Sequence, residues 1–229
     1  MCHLGAQPQK RSRGGQYLCC MIELRNIKKY YNLRLVLEIS SLKLKSGIYL
    51  LKGANGTGKT TLLKMIAGLL PFEGDILCNE ISLKNKPVIY RQKISWAETE
   101  PLFPSFMTGM DLINLYQTVR RVEQNEVHTL LEHYSMTDYV NNTIGTYSAG
   151  MTKKLSILLA FLGNSEIIVL DEPFITLDSH SYNLTCSLII ERNKKMKTNF
   201  IMSSHGDLGK ELSSFGTELV VDNKTVLFK

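Results

Sequence analysis

Apolar and polar positions alternate in short runs toward both ends of the chain and follow a helical repeat through its middle. Met21–Leu24 and Leu35-Val36-Leu37-Glu38-Ile39 read as strands, and Leu42-Lys43-Leu44 alternates as a half-exposed strand should. Gly47 turns the chain into a further strand over 47–52, and Gly74–Asn79 and Lys93–Ala97 have the same character. From about Thr108 to Leu162 the apolar residues recur at helical spacing: Met110, Leu112, Ile113, Leu115 and Tyr116, then Val127, Leu130, Leu131 and Tyr134. Only turn-rich stretches such as Asn141-Asn142 and Gly145 interrupt them. Glu166–Leu170 ends this region with no polar alternation, the mark of a parallel strand covered on both faces. A helix over Ser179–Lys195, a strand over Asn199–Met202, and a hairpin of Glu218–Val221 with Thr225–Phe228 turning on Asp222-Asn223 complete the pattern. It predicts an α/β fold with a mostly parallel sheet, an antiparallel β subdomain and a helical subdomain over about residues 102–162, all within one domain of residues 21–229.

The strand at 47–52 is followed by Gly53-Ala54-Asn55-Gly56-Thr57-Gly58-Lys59-Thr60, the pattern G-x-x-x-x-G-K-T, and then by the apolar run Thr60–Leu70, a helix that Pro71 should stop. A glycine loop between a strand and a helix start aims backbone N–H groups and the positive helix end at phosphate oxygens. Lys59 then reaches the β- and γ-phosphates and the Thr60 hydroxyl ligates Mg²⁺. These residues, with Thr61, are the candidate nucleotide site, and they make the core that of a P-loop NTPase with ATP and Mg²⁺ as its ligands.

Composition bounds this reading. At 229 residues and 44% hydrophobic content the chain can bury a full core, yet no apolar run approaches the roughly 20 residues of a membrane helix. Any work at a membrane therefore needs a second polypeptide to hold the chain there. Half of the net charge of +6 comes from Lys10, Arg11 and Arg13 in the first twenty residues, and the remainder is ordinary for a domain that binds a polyanion. The late cluster Arg192, Lys194, Lys195 and Lys197 reads as a solvated helix end, so no nucleic-acid partner is expected. Cys2, Cys19, Cys20, Cys78 and Cys186 are odd in number and lack metal-ligand spacing, which fits a reducing cytoplasm. Residues 1–20 have no signal-peptide core and read as a disordered upstream tail.

The buried strand ends in Asp171-Glu172-Pro173, which places two carboxylates at the C-terminal edge of the sheet, where open α/β sheets bind ligands. Asp171 is the candidate Mg²⁺ ligand, directly or through water, and Glu172 the residue that polarises the water attacking the γ-phosphate. The next strand ends in Ser203-Ser204-His205, where His205 can hydrogen-bond the γ-phosphate or that water.

In this order the phosphate loop, the Leu170–Pro173 run, Ser203–His205 and the segment Tyr147-Ser148-Ala149-Gly150-Met151 resemble an ATP-binding cassette (ABC) ATPase over essentially residues 21–229. The resemblance implies that Ser148, Ala149 and Gly150 contact the γ-phosphate held by an opposing subunit, so that two cassettes sandwich two nucleotides head to tail. It implies that Tyr31, next to Tyr30, stacks on adenine, and that Leu177-Asp178 joins the two subunits. Two departures stand out. The signature has Ala149 for its first glycine and Met151 for glutamine, and Thr99 occupies the position where the family places the glutamine that reaches Mg²⁺ and links the site to the transmembrane partner. Either Glu98 or Glu100 substitutes for it, or the metal contact is weaker.

The implied function is the ATP-hydrolysing subunit of an ABC transporter, held by a separate permease at the cytoplasmic face of the membrane. The basic pair Lys153-Lys154 favours an exporter-type subunit. The alternatives are a cassette ATPase outside transport, and a nucleotide-gated regulatory subunit with weak hydrolysis, which Thr99 motivates.

Overall fold

A computed structural model describes residues 21–204 and 210–229. The chain opens on β1 (Ile22–Tyr31), which turns at Asn32-Leu33 into β2 (Arg34–Leu44). The two runs 35–39 and 42–44 expected as separate strands are one strand of eleven residues. Ser40 and Ser41 are both exposed, which broke the alternation in the sequence, but the ladder continues through them, with Ser41 opposite Arg25 and Ile39 opposite Ile27. With β4 (Glu73–Cys78) and β5 (Ile81–Ser82) these strands form an antiparallel sheet in the order β2-β1-β4-β5.

The second sheet has the order β10-β9-β3-β8-β7-β6, built from β3 (Ile48–Lys52), β6 (Ile94–Ala97), β7 (Ile167–Leu170), β8 (Asn199–Ser203), β9 (Gly216–Asp222) and β10 (Thr225–Phe228). Every neighbouring pair from β9 to β6 is parallel, and β10 alone runs antiparallel, as the edge hairpin. Its turn is Asn223-Lys224, one residue later than the sequence suggested. Both residues have positive φ, 45° and 65°, as a type I′ turn demands.

Period-two alternation divides the core between the two faces of this sheet. Ile48 and Leu50 of β3, with Leu170, Phe200 and Met202, face the helical side, where α3 (Gly109–Arg120), α4 (Gln124–His133), α5 (Ala149–Phe161) and α6 (Ser179–Met196) pack. Tyr49 and Leu51, with Val169 and Ile201, face α1 (Lys59–Ile66) and the antiparallel sheet. Helix α1 ends well before Pro71. Leu69 N–H donates to Lys64 O and Gly68 N–H to Met65 O, both at 2.9 Å, and Gly68 has φ +71°, which together make a Schellman stop. The sequence reading also missed α2 (Pro87–Gln92), which begins on proline and buries Tyr90 with its hydroxyl donating to Ile66 O at 2.7 Å, and the short α7 (Lys210–Phe215).

Phe161 on α5 is fully buried, 5.9 Å from the Phe200 ring on β8 and 5.3 Å from the Arg192 guanidinium on α6. Truncation at such a three-element junction leaves a cavity. Phe161→Ala should cost about 3–5 kcal/mol, read as a lower urea midpoint at unchanged slope.

Candidate nucleotide site

The chain leaves β3 at Lys52 and re-enters regular structure at Lys59, and the intervening loop closes on itself. Gly53, Gly56 and Gly58 all have positive φ. At Gly53 the need is strict, because a Cβ there would lie 2.6 Å from Val221 O. Lys59 is buried, and its ammonium donates to Gly53 O at 2.8 Å and Ala54 O at 3.1 Å. Burial holds this lysine below its ordinary range, opposed by the nearby charges of Glu172 and Asp171. The loop borders a cavity of about 620 Å³ whose walls include Tyr31, Asn55 through Thr61, and Glu172. Tyr31 belongs to that wall, and Tyr30 does not. The Lys29 ammonium lies 4.8 Å from the Tyr31 ring centre, and the Tyr31 hydroxyl is 3.4 Å from Thr61 Oγ1.

The carboxylates reach this cavity through β8. Leu170 pairs with Met202, and Leu51 with Ser203, so the ends of β3, β8 and β7 lie side by side. Ser203 is fully buried there. Its hydroxyl donates to Asp171 Oδ1 at 2.6 Å and accepts from Glu172 N–H at 3.0 Å. Glu172 sits at φ +47°, a left-handed conformation that turns it away from the strand direction and onto the cavity wall. Asp171 stays behind that wall, 1% exposed, and its Oδ2 has no hydrogen-bond partner among the described residues. A buried, unpaired carboxylate oxygen is costly unless a cation or water meets it. With the Thr60 hydroxyl on the cavity wall, these hard oxygen donors suit Mg²⁺ completed by phosphate oxygens and water, reached by Asp171 directly or through water. Among the described residues no three His, Cys, Asp or Glu side chains gather to hold a metal by themselves. The sequence named the Ser203–His205 run for its histidine. His205 lies outside the described residues, and the serine is the residue that fixes both acids.

Thr99 does not line the cavity. Its hydroxyl donates to the backbone carbonyl of Asp171 at 3.3 Å and so meets the peptide, not the carboxylate. Glu98 pairs with Lys64 on α1, and Glu100 is exposed. Ser148, Ala149 and Gly150 are also absent from the cavity wall. They form the first turn of α5, where Ser148 Oγ accepts from Met151 N–H at 3.2 Å and Met151 Sδ accepts from Ser148 N–H at 3.5 Å. A thioether thus fills the place that a glutamine oxygen takes in a capping box. Ser148 and Ala149 are exposed, while Gly150 abuts the loop after Glu172, where a Cβ would lie 2.9 Å from Thr176 O. Lys154 pairs with Asp178 at 2.6 Å, and Asp178 caps α6 through Ser181 N–H at 2.8 Å. Lys154 and the Ser181 amide hold the Asp178 carboxyl well below the usual range.

The sequence profile described as ABC transporter matches residues 37–175, more than half of the chain. The manganese transport system ATP-binding protein MntB of Listeria innocua serovar 6a is 31% identical over 185 residues, covering 76% of this chain and 75% of its own length. The cytochrome c biogenesis ATP-binding export protein CcmA of Reclinomonas americana is 28% identical over 200 residues, covering 85% and 89% of the two chains. In fold, a dimeric ATP-binding cassette in a post-hydrolysis state bound to ADP and Pi superposes with a TM-score of 0.80 at 19% identity, covering 91% of this chain and 98% of that one. The profile match over more than half of the chain and the relative at 31% identity agree with the phosphate loop found in the fold: the chain belongs to the ABC transporter family, as an ATP-binding ATPase subunit.

Proposed function

We propose that this cassette works as one half of a head-to-tail pair. The observation that carries the proposal is a division of the chain's own parts: Glu172 lines the phosphate cavity, whereas Ser148, Ala149 and Gly150 stand outside it at the exposed start of α5. A helix N-terminus capped by serine offers N–H groups to an anion, and here that anion is the γ-phosphate of ATP held by a second cassette. The paired arrangement named for the post-hydrolysis neighbour supports the same reading. We take residues 21–229 as one cassette, with 102–162 as its helical subdomain.

Within each half site, Gly53–Gly58 amides cradle the phosphates, Lys59 turns to the β- and γ-phosphates, and Tyr31 offers its ring to adenine. Thr60 and Asp171 would hold Mg²⁺, whose charge draws electron density from the β- and γ-oxygens when it is bound. Glu172 accepts a hydrogen bond from the attacking water. As the water oxygen bonds to the γ-phosphorus, the bond to the β,γ-bridging oxygen breaks, releasing ADP and phosphate and loosening the pair. We assign His205 to the γ-phosphate or that water.

The work is passed to a separate permease, which positions the chain at the cytoplasmic face of a membrane. No helix among the described residues is long and apolar enough to cross one. A cavity of about 800 Å³ bordered by Val88, Arg91, Val119, Arg120 and Arg121 lies away from the nucleotide, and Val88 and Val119 are 65% and 74% exposed. This rim, two exposed valines among three arginines, is the surface we assign to the permease. For direction we propose export, in line with CcmA being named an export protein, and not on the Lys153-Lys154 pair. Both lysines are engaged inside the cassette and so say nothing of the transported substrate's direction. Thr99 favours a second reading, a nucleotide-gated subunit with weak hydrolysis, because it leaves the cavity without the expected glutamine.

Glu172→Gln separates the two readings. Steady-state phosphate release in Mg²⁺-ATP should fall by about 10²–10⁴-fold while ATP binding persists, and ATP should now drive the chain into a stable dimer on a sizing column. A wild-type chain that releases phosphate no faster than this variant would instead establish the nucleotide-gated subunit. Ser148→Arg should leave ATP binding to the monomer within about threefold of wild type and abolish the ATP-induced dimer of Glu172→Gln, since a bulky cation replaces the cap at the shared face. A dimer that still forms would overturn the composite site.

A further inference from the structure

Lys153 on α5 is 1% exposed, although an ammonium loses strong hydration on burial and must be repaid by close partners. It is repaid by backbone alone. Its three N–H groups donate to Glu98 O at 2.9 Å, Thr99 O at 3.1 Å and Asp171 O at 3.2 Å, which uses every donor an ammonium has. The carbonyls come from the two chain segments leaving the parallel strands β6 and β7, whose last paired residues are Ala97 and Leu170. The Thr99 hydroxyl reinforces the same seam by donating to Asp171 O. The charges of Asp171, Glu172 and Glu98 favour the ammonium from a distance. Five residues earlier in the chain stands Ser148, and Lys154 next in sequence grips Asp178. One turn of α5 is therefore fastened at one side to the carboxylate strand and at the other to the loop that follows it. Filling this position with an apolar side chain would avoid the desolvation cost, so the charge has a use beyond cohesion.

We propose that Lys153 is a positioning residue for hydrolysis: it locks the Glu98–Thr99 segment to Asp171, so that the acids serving this chain's own ATP and the Ser148 turn offered to the second cassette move as one body. The proposal rests on the paired reading above. It also takes in Thr99, whose short side chain reaches only the Asp171 peptide: the long lysine meets the same carbonyl and ties the Thr99 segment to it.

The test uses the full chain with Mg²⁺-ATP and three variants, Lys153→Gln, Lys153→Met and Lys153→Met with Thr99→Gln. Gln keeps two N–H donors without the charge, and Met keeps only the length. A positioning role predicts kcat in the order Lys, Gln, Met, with the Met variant down about 10²-fold while KM and the affinity for a fluorescent ATP analogue stay within about threefold. Adding Thr99→Gln should recover about tenfold of the lost kcat. If Lys153→Met fails to fold, as a thermal melt would reveal, Lys153→Gln carries the test. A kcat within about twofold of wild type in the folded variant, or an equal fall in kcat and nucleotide affinity, overturns the role. ATP-induced dimerisation of Glu172→Gln is run beside them. Its absence overturns the paired reading, whereas its presence with an unmoved kcat in the lysine variants overturns only the role of Lys153.

Discussion

Parallel pairing of β3, β8 and β7 is the constraint from which the site follows. Parallel neighbours end at the same edge, so a phosphate loop after β3 and two acids after β7 are brought together with one strand between them. The intervening strand is not passive. It ends in Ser203, whose single hydroxyl donates to one acid and accepts from the backbone of the next. Shifting β8 by one residue would turn Ser203 to the opposite face of the sheet and take its hydroxyl from both the Asp171 carboxylate and the Glu172 amide. Register and site chemistry are thus one fact.

The same corner collects buried charge in quantity. Lys59, Lys153, Asp171 and Glu172 are all under 9% exposed. None of the four sits in a close ion pair with another. Instead, both lysines donate to backbone carbonyls and Asp171 accepts from a serine. Direct Lys–Asp pairs would neutralise the site and bind neither phosphate nor cation. Holding Lys59 and Asp171 by neutral dipoles keeps their charges oriented and still available to a ligand, whereas Lys153 spends all three donors on the seam. The surface, by contrast, spends its charges in ordinary pairs such as Lys28 with Glu38 and Lys195 with Glu191, which contribute little to stability.

The extent to which the sequence disclosed this arrangement varied with the range of the interaction. Local signals were read well. The glycine loop, the unbroken apolar run before Asp171 and the serine cap of α5 each carry their structural reason within a few residues. Misreadings arose where one local signal was overridden by another nearby or by a distant partner. Ser40-Ser41 looked like a break, but β1 supplies the ladder that carries β2 through them. Pro71 looked like the helix stop, although Gly68 had already terminated α1 by its left-handed backbone. Asp222-Asn223 is a sound turn pair in isolation, and only the Asp222–Thr225 pairing shifts the turn to Asn223-Lys224. Lys153-Lys154 is the pair whose surroundings the sequence disclosed least. The sequence showed two adjacent basic residues near the start of a helix, and in the fold one is interior and the other pairs with Asp178. No window along the chain contains Glu98, Asp171 and Lys153 together.

The three positions that follow Ser148 in its turn differ in what each one touches. Ala149 is exposed at a position where backbone N–H groups, not a side chain, would meet a phosphate, so a methyl group there removes no donor. Gly150 is different: its neighbour Thr176 O leaves no room for a Cβ. Met151 is tolerated for a third reason, since its sulfur accepts from the Ser148 amide and closes the cap that glutamine would close. The three positions are therefore under unequal constraint, set by what each touches. Donors must face outward, the second small residue must let α5 approach the loop after Glu172, and the third must be long enough to reach back. A chain can depart from the family's usual letters at the first and third of these and keep the capped turn, while a Cβ at the second would run into Thr176 O.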